Sequence, residues 1–135
     1  MVRQDDTAAK LYIERTLGIH VADPFIGLIV EKNDRCLGAV ILNDYRAGEN
    51  IELSMHVDGA WSISDIRGIA QYCFARVRRI SAHTKVKNER ACRALEMLGF
   101  RREGVLREWF EGEDAALYGL LRSEQKIYAK RSDPS

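Results

Sequence analysis

The sequence predicts an α/β fold in which helices pack on the faces of one sheet, within a single domain. Three observations predict it. Apolar residues recur at helical spacing in three separated segments. The segments between them alternate apolar with polar residues, or run apolar briefly, as strands do. The order is helix, three strands, helix, strand, helix, two strands. A chain of 135 residues has the size of one domain and is long enough to bury most of its apolar surface.

From Thr7 to Leu17, Ala8, Leu11, Tyr12 and Ile13 are interleaved with Lys10, Glu14 and Arg15, and Gly18 follows as a stop. This predicts an amphipathic helix capped by Asp6 or Thr7. Phe25 to Glu31 and Cys36 to Asn43 are apolar runs flanking Lys32-Asn33-Asp34-Arg35, a polar cluster suited to a hairpin turn. Asp44 to Asn50 reads as a second turn. Beyond it Ile51, Leu53, Met55 and Val57 alternate with Glu52, Ser54, His56 and Asp58, predicting a strand with one apolar and one polar face. Ser62 and Asp65 stand three apart ahead of Ile66, Ile69, Ala70, Cys73, Phe74 and Val77, the pattern of a capping box opening an amphipathic helix. Arg79 to Val86 is the next predicted strand, Asn88 to Leu98 a helix, and Phe100 to Trp109 and Ala115 to Arg122 the last two strands. The ordered core is expected over about 7–125 of the single 1–135 domain, with a loose polar tail at 126–135.

A formal net charge of +1, from 21 basic and 20 acidic residues, gives no global attraction to nucleic acid or to an anionic membrane. Any partner is therefore recognised locally. No apolar run has the length needed to cross a bilayer, and Met1 to Asp6 lacks a secretion signal's apolar stretch, so the chain reads as soluble and cytoplasmic. Cys36, Cys73 and Cys92 form no CxxC pair and read as structural thiols, and His20, His56 and His83 show no metal-ligand spacing, so no metal is expected.

The tail is the most informative stretch. Asn88 and Ala91 stand three apart, Leu95 follows, Leu98-Gly99-Phe100 closes the helix, and Glu103-Gly104 precedes the strand at Leu117 to Arg122. In this order the residues resemble the C-terminal half of the GCN5-related N-acetyltransferases. Within that superfamily they look most like the branch acetylating ribosomal proteins and its phage-type relatives. The resemblance implies a mixed, mostly antiparallel sheet with splayed central strands and helices on both faces. It also implies acetyl-CoA as donor, a primary amine as acceptor, and direct attack in a ternary complex. One departure concerns the start: the family has a strand and a helix before the helix placed here at Thr7 to Leu17. Met1 to Asp6 is too short to supply them, so an N-terminally shortened fold is expected.

Acetyl-CoA carries a pyrophosphate, which the free amides and positive dipole of a helix N-terminus can hold. By the resemblance this is the helix starting near Ser62, and Gly59, Ala60, Trp61, Ser62, Ile63 and Ser64 form the loop around the phosphates. The family's Gln or Arg followed by spaced Gly or Ala residues is absent from Asp58 to Asp65. Asp65 repels an anion or simply caps the helix, and Gly68-Ile69-Ala70 imitates the family spacing from inside the helix. The resemblance also implies that backbone at Met55, His56 and Val57 receives the pantetheine arm and the thioester oxygen. Asn88 points to the cofactor in the family and equally reads as a helix cap. Lys85, Lys87, Arg90 and Arg93 surround it, and Arg93 is the candidate for the adenosine 3′-phosphate, a solvated helix face being the alternative.

An amine must lose a proton to attack a thioester. Glu52 and His56 share the polar face of one strand and are the candidate catalytic residues, Glu52 matching a position where some family members keep a carboxylate base. A polar face turned to solvent is the competing account. The family's Tyr that protonates the thiolate is Leu95 here, with Tyr118 as a substitute or as core. Trp61 and Trp109 line a groove or pack, and Arg76, Arg78 and Arg79 fit a helix C-terminus. The alternative function is a weak or inactive CoA-binding or protein-interaction module. With the first strand missing, Phe25 to Val30 would be a long apolar edge, for which homodimer pairing is the expected cover.

Overall fold

Asp5 decides how the chain enters its first helix. The computed structural model describes residues 1–59 and 61–124, and in it the Asp5 carboxylate accepts a hydrogen bond from the Ala8 amide, capping α1 (Asp6–Leu17) in place of the expected Asp6 or Thr7. Gly18 ends α1 in the left-handed conformation. The remaining elements are β1 (Val2–Gln4), β2 (Phe25–Lys32), β3 (Arg35–Arg46), β4 (Gly48–Val57), α2 (Ile63–Phe74), β5 (Val77–Lys85), α3 (Glu89–Met97), β6 (Arg101–Phe110) and β7 (Glu113–Leu121). One seven-stranded sheet runs in the order β1-β2-β3-β4-β5-β7-β6, and only β4 and β5 are parallel.

The expected loss of the first strand is corrected by β1. Val2, Arg3 and Gln4 pair with Val30, Ile29 and Leu28, and the Asp5 amide donates to the Gly27 carbonyl at 3.0 Å. The Asp6 carboxylate accepts the Gly27 amide at 2.9 Å. Three residues suffice because β2 is already a finished ladder on its other side. The edge at 25–30 is thus closed from Gly27 onward by the chain itself, which removes the physical premise for pairing it across a homodimer.

Between β2 and β3 the turn residues Asn33 and Asp34 both have positive φ, 53° and 63°, the twist that suits a two-residue hairpin. The predicted turn at Asp44 to Asn50 is much shorter. Both strands continue into it, and a bulge between Asn43 and Arg46, with Asp44 at φ 51°, absorbs the corner.

Two cores form, one on each face. Ala9 and Ile13 of α1 pack on Ile29, Ala39 and Ile41, while α2 and α3 cover Val40, Leu53, Ile80, Phe100 and Leu120 on the other side. Helices on both faces follow directly from the alternation of β3 and β4. Among the described residues no helix is long and apolar enough to cross a membrane. The predicted polar tail at 126–135 lies outside the described residues.

Candidate active site

The parallel pair β4–β5 holds only part of its length. It is in register from Gly48 opposite Val77 to Leu53 opposite Ala82. Beyond that point β4 keeps its ladder with β3 as far as Val57, and β5 keeps its ladder with β7 as far as Lys85. The two inner edges therefore diverge, leaving a V whose apex lies at Leu53 and Ala82. Below the apex the buried Ser81 hydroxyl donates to Asn50 Oδ1 at 2.6 Å, tying the paired halves together.

On the α2/α3 face the V opens into an apolar cavity of about 300 Å³ lined by Met55, Val57, Ile66, Ile69, Leu98 and Phe100 among others. Trp61 also lines it, with its indole N–H donating to the Leu37 carbonyl at 2.6 Å. The ring can lie there because residue 38 is glycine. Gly38 has φ 141°, and a Cβ on it would overlap the His56 carbonyl oxygen and come within 2.7 Å of the Trp61 ring. Trp61 is therefore a wall of the cavity anchored to β3.

Trp61 and Ile66 in the cavity lining flank the N-terminus of α2. Ser62 caps the helix in a complete capping box: its hydroxyl accepts the Asp65 amide at 3.0 Å and the Asp65 carboxylate accepts the Ser62 amide at 3.1 Å. One of the amides expected to meet phosphate, that of Ser62, is thus engaged, and among the described residues those of Ile63 and Ser64 carry no acceptor. Burial works against charge on Asp65, yet the Met1 ammonium at 2.9 Å and the Ser62 amide hold its carboxyl below the usual range. Gly59 takes φ 111°, a conformation suited to glycine, and Ala60 lies outside the described residues. Asn88 caps α3 by accepting the Ala91 amide at 3.1 Å, leaving its side-chain NH2 for other partners, and Arg93 is exposed on α3.

The opposite face of the V carries ionisable groups. Glu52 of β4 and His83 of β5, immediately before and after the apex residues, meet through Oε1 and Nδ1. His83 is stacked on Trp109 with ring centroids 4.9 Å apart and planes 11° from parallel. Trp109 arrives there because β6 bulges between Leu106 and Phe110, with Glu108 at φ 52°. Burial raises the Glu52 carboxyl above its ordinary range, with the charge of Asp44 adding to it. Burial lowers His83, and Asp44 partly offsets this. Both effects oppose full ionisation of the pair. Sequence reasoning missed His83 and the position of Trp109; strand parity on either side of the apex is the signal that would have found them.

His56 shares the face of Glu52 but stands about 13 Å further along the strand at the usual rise per residue. Its ring lies 5.8 Å from that of Tyr12. The two candidate catalytic residues are therefore not brought together. Tyr118 is fully buried, donating to Glu96 at 2.6 Å, and burial together with that bond pushes its phenol up to about 12. It packs as core, as does Leu95. Arg76 closes on the Tyr72 carbonyl and ring, and Arg79 pairs with Glu103 across β7, so these cations are used structurally.

No protein-family model matches the sequence, and no curated protein matches it. Solved structures match the fold. Mutant forms of SpeG, a spermidine/spermine N-acetyltransferase of Vibrio cholerae, align with a TM-score of 0.77 over 98% of this chain and 99% of theirs, at 19% identity. A dodecameric structure of spermidine N-acetyltransferase from the same organism gives 0.76 over 98% of each chain at 18% identity. A candidate acetyltransferase of T. thermophilus gives 0.70 over 89% of this chain and 70% of that one at 21% identity. At these identities the likeness is one of fold. The chain has the fold of the GCN5-related N-acetyltransferases: a mixed, mostly antiparallel sheet with a parted central pair and helices on both faces.

Proposed function

We propose that the protein is an acetyl-CoA-dependent N-acetyltransferase acting on a primary amine by direct attack within a ternary complex. The observation that supports this best is the V itself, with an apolar cavity on one face of its apex and the Glu52–His83 pair on the other. In this reading the pantetheine arm runs along Met55, His56 and Val57. The thioester oxygen takes a main-chain N–H of the parted β4, a fixed donor in a site with little water. The pyrophosphate rests on the Ile63 and Ser64 amides beside Gly59, and Arg93 reaches the 3′-phosphate. With Leu95 where a tyrosine would stand, the thiolate leaves without a side-chain acid, which its modest basicity tolerates.

A weak or inactive module is the less favoured account. Glu52 and His83 are held together where burial disfavours their charges, an arrangement with a cost and no packing benefit over apolar residues. For the acceptor, the tail's resemblance to the ribosomal-protein branch suggests a protein N-terminus, and the structural likeness to spermidine acetyltransferases suggests a polyamine. Calorimetric titration with acetyl-CoA, followed by thiol release with spermidine, a lysine peptide and a peptide with a free N-terminus, tests both levels. Absence of acetyl-CoA binding sinks the proposal.

Asn88→Ala is expected to cost about 1 kcal/mol of stability through the lost cap and to weaken acetyl-CoA binding severalfold. Asn88→Ser separates the two roles, restoring the melting temperature while leaving affinity low. Full recovery of affinity in Asn88→Ser would confine Asn88 to capping.

A further inference from the structure

We infer that His83 is the group that receives the acceptor's proton, through Nε2, and that Glu52 is the positioning residue that holds the ring and steadies it once protonated. The inference rests on the transferase reading and assigns roles within it. Glu52 touches His83 through Nδ1, which leaves Nε2 as the imidazole atom not spent on the carboxylate. Trp109 stacks on the ring face and sets its plane, so the imidazole is held by an edge contact and a face contact at once. Glu52 has its carboxylate turned to His83, and His56 is engaged with Tyr12 well away from the apex. Among the described residues of this face, the imidazole of His83 is the one held by both a carboxylate and a ring, and it stands one residue past Ala82, where the β4–β5 register ends.

The charged surroundings are consistent with one mobile proton. Asp44, at the corner of β3, is the nearby anion. On the same face of β5, Lys85 is engaged with Glu113 at 3.0 Å and Arg79 with Glu103 at 2.9 Å, so no unpaired cation faces the ring from that strand. Ser81 is bound to Asn50, and Leu117 of β7 is the neighbour of His83 in the ladder. Burial lowers the His83 pKa and so favours the neutral ring a base requires, while the Glu52 carboxylate against Nδ1 steadies the imidazolium once it forms. The amine nitrogen bonds to the carbonyl carbon and its proton passes to Nε2. The C–S bond breaks, with its electron pair leaving on sulfur, and the imidazolium returns its proton to solvent or to the thiolate.

Two measurements test this. In the unliganded protein, long-range proton–nitrogen correlation spectra, with His83→Gln to assign the signal, should show His83 neutral at pH 7.5 with its proton on Nδ1; a proton on Nε2 overturns the inference. In turnover with whichever of spermidine or the free-N-terminus peptide releases more thiol, His83→Gln should lower kcat about a hundredfold and abolish the acidic limb of the pH profile, with acetyl-CoA affinity unchanged. Glu52→Gln should keep that limb but move it to lower pH, because removing the carboxylate makes the imidazolium easier to deprotonate. A limb surviving in His83→Gln overturns the assignment and leaves the transferase reading standing. Failure of the wild-type protein to bind acetyl-CoA overturns both.

Discussion

Alanine at position 38 is expected to lower the unfolding free energy by about 2–5 kcal/mol, combining backbone strain at a φ reserved for glycine with overpacking. Gly38 is paired with Val57, and the added methyl would overlap the His56 carbonyl, which cannot withdraw without breaking the β3–β4 ladder. The Trp61 ring is the other obstacle, and displacing it breaks the indole bond to Leu37 and opens the wall of the apolar cavity. Stability and acetyl-CoA affinity should therefore fall together. Denaturant titration with an unchanged slope, alongside calorimetry, checks this, and an unchanged midpoint would show that Trp61 is not packed against β3.

Glu52→Gln, which acts through His83, is expected to reduce kcat by no more than the about hundredfold loss of His83→Gln while leaving acetyl-CoA affinity within about twofold of wild type. It should also leave the protein as stable or more stable at neutral pH. The sign follows from burial. Because the folded state raises the Glu52 pKa, it binds that proton more tightly than the unfolded chain does. The side chain therefore opposes folding increasingly as pH rises above the unfolded value of about 4.3, and the opposition levels off above the folded value. Glutamine removes the charge yet keeps an oxygen facing His83. Melting curves across pH 4 to 8 should show the variant gaining on the wild type as pH rises, and a variant that loses stability at pH 7 would mean the carboxylate is there for structure.

Much of the architecture was legible in the residues. Alternation at Ile51 to Val57, the Ser62–Asp65 spacing and the Leu98-Gly99-Phe100 stop each reflect local physics, and each element formed within a few positions of its expected place. The capping roles of Ser62 and Asn88 were equally open to view, since a cap needs only the residue and its helix. What escaped depended on partners distant in sequence. β1 has no periodicity of its own and becomes a strand by pairing with β2, and the corner at Asp44 is set by a bulge that no composition announces. His83 was visibly in a strand, but its meeting with Glu52 required the parallel register and the residue at which that register ends. Trp109 needed the bulge at Glu108. The same limit separated Glu52 from His56: shared parity put them on one face, and distance along the strand kept them apart.

The parting of β4 from β5 after Leu53 and Ala82 turns the sheet into a partition with a slit. On the proposed reading, a donor lodged between the helices and an amine standing at the imidazole enter from opposite sides and meet only through that opening. Either can dock without the other. Desulfo-CoA should then compete with acetyl-CoA but not with the amine, and a single linked molecule joining the two would have to thread the slit to bind.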